Sequence, residues 1–82
     1  MKFRPGCPTD GQAQNVVWAY VMTHFDGLQF AAHNVVRGMR LDWGIDVSRS
    51  AVTDTLETMV CMKAIFRDGH DFERTRLYRR LA

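Results

Sequence analysis

The sequence predicts a mainly α domain, three helices closed by a small β-hairpin, on three observations. Apolar residues recur at three- and four-residue spacing in three separate stretches. Two runs near the C-terminus, KAIFR and TRLYRRL, flank the Gly-containing DGHDFER, which is the pattern of two antiparallel strands and their loop. The 82 residues leave room for one hydrophobic core, and 46% hydrophobic with 24% charged residues is an ordinary globular balance. The chain therefore divides into an arm, residues 1–9, and a single domain, residues 10–82.

Each element has its own signal. Pro5, Gly6 and Pro8 leave the arm without a period, so it is expected to be flexible. Thr9 or Asp10 caps the first helix, which is expected to run to the Asp26-Gly27 turn. Ala13, Val17, Tyr20, Val21 and His24 mark its inward face, and Trp18 and Met22 point away from it. LQF then forms a short strand. The second helix, AAHNVVRGMRL, turns Ala31, Val35 and Met39 inward and His33, Arg37 and Arg40 outward. Gly38 costs that helix about 1 kcal/mol relative to Ala, which marks a close helix crossing.

DWGID is a loop, and Ser48 caps a third helix running to about Met62. Val52, Leu56, Met59 and Val60 share one of its faces; Ser50, Thr53, Asp54, Glu57 and Cys61 share the other. In the last strand Leu77, Arg79 and Leu81 alternate with Arg76, Tyr78 and Arg80.

The stretches FAAHNVVRGM, GIDVSRSAVTDTLETMVCMKAIFR and RTRLYRRL together resemble the winged helix-turn-helix superfamily over about residues 10–81. The resemblance implies a three-helix domain whose third helix enters the DNA major groove while a basic wing contacts phosphates. Carried over by position, Arg49, Ser50 and Thr53 fall on the base-facing part of the third helix. Arg67, Arg74, Arg76 and Arg80 fall on the wing, and Arg37 and Arg40 on the supporting helix. Asp54 and Glu57 depart from the pattern, because carboxylates near the centre of a reading face repel phosphates. Met62-Lys63 stands where the superfamily usually has Gly before its wing.

From Lys63 onward six basic residues face three acids, and arginine's fork of donors suits phosphate. The competing role for these arginines is a charged edge strand, paired by acids of the same hairpin. Lys2 and Arg4 on the arm could reach a minor groove, although such termini are more often only unstructured. No metal site is expected, since Asp68, His70 and Asp71 are ordinary turn residues and Cys7 and Cys61 lack ligand spacing. No cofactor loop or catalytic constellation is visible, so the chain is not expected to be an enzyme. The net charge is +2, and MKFRPGCPTDG has no apolar run of signal or membrane length, so reduced cysteines in a cytoplasmic protein are expected.

Two functions fit. One is a DNA-binding regulator of transcription or of a mobile element, acting on double-stranded DNA and compatible with a homodimer. The other is a module or small phage-type inhibitor that binds a protein through Trp18, Met22, Trp43, Asp54 and Glu57.

Overall fold

The computed structural model describes residues 10–81. The expected arm, with Lys2, Arg4 and Cys7, lies outside them. Three helices, α1 (Asp10–Thr23), α2 (Ala32–Trp43) and α3 (Arg49–Cys61), precede an antiparallel hairpin of β1 (Ile65–His70) and β2 (Arg76–Arg80). This is the mainly α layout with a small β-hairpin, and its element order is that of a winged helix-turn-helix domain.

α1 ends at Thr23, short of the Asp26-Gly27 turn. Phe25 takes a left-handed φ of 59°, which breaks the helix before the turn. Ala13, Val17, Tyr20 and Val21 are buried as the spacing predicts. His24 is not: it sits half-buried at the rim, its ring stacked 3.9 Å from that of Tyr20. Trp18 and Met22 are half-buried and pack against the core, so they do not project from it. A small domain uses most of a helix's girth, because its single core is approached from several sides.

The expected LQF strand reduces to one bridge, in which Phe30 and Tyr78 exchange backbone hydrogen bonds of 2.9 and 2.7 Å. α2 starts from Ala31, whose N–H donates to the Asn34 side chain at 2.8 Å. It runs past the expected Leu41 to Trp43 and stops at Gly44, at a φ of 65°. Gly38 is the close crossing that its position predicts. A Cβ there would lie 2.1 Å from the Tyr20 hydroxyl oxygen, and the open space lets Tyr20 donate to Asp42 at 2.6 Å. Burial, with that carboxylate beside it, pushes the Tyr20 pKa up to about 12.

Ser48 caps α3 by accepting from the Ala51 N–H at 3.0 Å. Val52, Leu56 and Met59 are fully buried, Val60 is partly so, and Thr55 joins them by bonding its hydroxyl back to the Ala51 carbonyl. The helix closes with Lys63 at a φ of 62° in the position that usually takes Gly. Lys63 N–H reaches the Val60 carbonyl and Ala64 N–H reaches that of Met59, the two bonds of a Schellman closure. Left-handed geometry costs a non-glycine residue about 1 kcal/mol, and those two bonds offset it.

β1 is longer than KAIFR because the ladder continues past an irregularity between Arg67 and His70, with Gly69 at a φ of 85°. The loop is therefore only residues 71–75. Asp71 ties it down, accepting from the Glu73 and Thr75 N–H groups at 2.9 Å each. Tyr78 is the inward residue of β2.

Candidate nucleic-acid interface

α3 separates two grooves of different chemistry. Its Val52, Leu56 and Met59 stripe faces the core, so residues on either side of the opposite stripe look toward different neighbours. Arg49 and Thr53 look toward the hairpin; Ser50, Asp54 and Thr58 look toward α1.

The wing-side groove has a volume of about 350 Å3. Arg49 and Thr53 of α3 line it with His70, Arg74, Thr75, Arg76 and Tyr78 of the hairpin and Ala32 of α2. Local structure explains each placement. The Ser48 cap starts α3 so that Arg49 is its first residue. The Asp71 turn and a left-handed Arg74 (φ 63°) fix where the chain re-enters β2, and register places Arg76 across from His70. Arg49, Thr53, Arg74 and Arg76 were legible candidates; His70 and Thr75 were not, because turn residues carry no distinguishing pattern.

Glu57 does not face outward as the helical spacing implied. Its carboxylate turns to the hairpin and is 27% exposed. One oxygen accepts from Arg67; the other accepts from Arg76 at 2.9 Å and from the Tyr78 hydroxyl at 2.5 Å. Those donors, Arg67 foremost, hold its pKa at about 2, against the opposing effect of partial burial. Glu57 is thus neither a free acid in front of DNA nor a free contact for a protein.

The other wing arginines are also largely occupied. Arg79 donates to Asp68 at 2.9 Å and to the Gly27 carbonyl at 2.8 Å, and its guanidinium, with help from Gln29, holds the Asp68 carboxyl below the usual range. Arg80 lies at the opposite end of β2, 15% exposed, and donates to the His24 carbonyl at 3.3 Å with Asp26 at 4.0 Å. That position removes Arg80 from the expected phosphate contacts. Pairing by acids, the competing expectation for the wing, accounts for Arg67, Arg76 and Arg79, with one acid supplied by α3. Arg49 and Arg74 have no ion-pair partner among the described residues. Arg37 and Arg40 are exposed on α2 and do not line the groove; Arg40 stands 3.7 Å from Asp46.

The α1-side groove, about 320 Å3, is lined by Gln14, Ser48, Ser50, Ala51, Asp54, Thr55 and Thr58. Among the described residues it carries hydroxyls and one exposed carboxylate, with no cation on its wall. Ser50 and Asp54 therefore belong to this side, apart from Arg49 and Thr53. Of the expected protein contacts, Trp43 is 40% exposed and meets Tyr20 and His24 edge-on at 5.0 and 5.9 Å. Among the described residues the most exposed aromatic is Phe72, at the wing tip, 94% exposed, which carries no sequence signal as a contact.

Among the described residues no three His, Cys, Asp or Glu side chains gather as a metal site would require, and no helix is long and apolar enough to cross a membrane. Comparison with family models, with curated proteins and with solved structures finds no match.

Proposed function

We propose that the chain binds double-stranded DNA through the wing-side groove, as a cytoplasmic regulator of transcription or of a mobile element. The observation that carries this reading is the convergence of Arg49 and Arg74, both unpaired among the described residues, with Arg76, Thr53 and Thr75 on one groove. Guanidiniums and hydroxyls are the donors that phosphates take, and two or three of them in one groove fit adjacent backbone phosphates. Pairing with Arg67, Arg76 and the Tyr78 hydroxyl occupies Glu57, one of the two carboxylates that spoke against DNA. Asp54 stays on the α1 side of α3.

Few free cations mean modest affinity and a shallow salt dependence. With Arg49 and Arg74 as the main contacts, log affinity against log salt should have a slope of about −2. Fluorescence anisotropy of a short random duplex across a salt series measures it. A slope near zero, or no binding at low salt, contradicts the proposal.

A protein partner is the second reading, and Phe72 is the observation that favours it. An aromatic side chain held out on a tied turn between Asp71 and Glu73 suits an apolar pocket with a basic rim. Phe72→Ala leaves DNA binding within about twofold if the DNA reading holds and the tip is not a contact.

A further inference from the structure

Arg76 belongs to two structures at once. It lines the wing-side groove beside Arg49 and Arg74, and it donates to Glu57, which Arg67 and the Tyr78 hydroxyl also reach. Two guanidiniums and a phenol around one anion form a donor set that a phosphate would accept without change. We propose that Glu57 is an internal stand-in for a phosphate, one that sets the groove's affinity by holding Arg67 and Arg76 back from DNA. The proposal rests on the DNA-binding reading above and names the residue that limits it.

The three donors are not equivalent. Tyr78 is buried in the core at 2% exposure, so its hydroxyl is a fixed anchor for the carboxylate. Arg67 and Arg76 have side chains 56% and 47% exposed, so either can swing outward without disturbing packed atoms. A backbone phosphate entering the groove can take Arg76, and then Arg67, while Glu57 keeps the Tyr78 hydrogen bond and gains water. Each such exchange costs an ion pair, which a lone phosphate repays poorly. In the wild type Glu57 therefore keeps both arginines, and only loss of its charge releases them to the duplex.

Glu57→Gln tests this directly. The amide oxygen can still accept from Tyr78, while the charge that holds the arginines is gone. Anisotropy with a short random duplex, from about 50 to 200 mM salt, should show the slope steepening from about −2 to nearly −4, as two more cations meet phosphates. Affinity at the low-salt end should rise about tenfold. Equal or weaker binding by Glu57→Gln, with the wild type binding normally, overturns the proposal and leaves the DNA reading standing. Absence of binding by both proteins overturns both.

Variants that keep Glu57 give an independent check should Glu57→Gln fold poorly. Arg67→Gln should cost less than about twofold in affinity, because Arg67 is held back, whereas Arg74→Gln should cost about tenfold. Equal losses at the two positions overturn the proposal.

Discussion

The two grooves beside α3 differ in charge although the same helix supplies a wall to each. On the hairpin side, Arg49 and Thr53 meet five hairpin residues with hydrogen-bonding or charged tips; on the α1 side, among the described residues, Ser50, Asp54 and Thr58 meet Gln14. Helix position sorts the residues: Glu57 continues the Arg49–Thr53 row on the hairpin side, where Arg67, Arg76 and Tyr78 bond it, while Asp54 lies on the Ser50–Thr58 row. What α3 can bind is decided by the elements packed beside it.

The largest expected effect breaks the hairpin side. Arg49→Gln with Arg74→Gln should lower duplex DNA affinity about a hundredfold, roughly 2.7 kcal/mol, with little change in thermal stability. Both side chains are exposed and lack ion-pair partners among the described residues, so the fold has little to lose.

Acid unfolding is a smaller test of the same side. A carboxylate whose folded pKa is depressed adds stability above its ordinary value and loses it as pH falls toward the folded one. For Glu57 that window runs from about 4.5 down to about 2. Its arginine partners are half exposed, so screening limits the loss to ~1–2 kcal/mol. Chemical denaturation at stepped pH should show that loss in the wild type and a smaller one in Glu57→Gln, with Asp68 supplying the remainder in the same direction.

On the α1 side, Asp54→Asn should tighten DNA binding about threefold, because it removes the one exposed acid on that wall of α3. The smallest effect belongs to Ser50→Ala, expected within about twofold of wild type in the same anisotropy assay. A tenfold loss at Ser50 would move the interface to the α1 side.

Much of the scaffold was legible because its signals are local. Ser48 caps α3, Val52, Leu56 and Met59 bury at their spacing, and Gly38 admits Tyr20. The site was legible only in part. Arg49, Thr53, Arg74 and Arg76 were visible as residue types in plausible positions. The pairing of Glu57 with Arg67 and Arg76, ten and nineteen residues away, was not, because side-chain networks between elements leave no periodic trace. Trp18 and Met22 pack against the core for a related reason: periodicity assigns one inward face, while this core wraps around more of α1. LQF carries strand-forming residues, but only Phe30 meets a partner.

On the proposed reading, the hairpin side of α3, not the α1 side, meets DNA. Amide chemical-shift mapping during titration with a short random duplex tests it most directly. The largest shifts are expected at Arg49, Thr53 and residues 70–76, with Ser50, Asp54 and Thr58 moving little. Shifts centred on Ser50, Asp54 and Thr58, or no shifts at low salt, would contradict it.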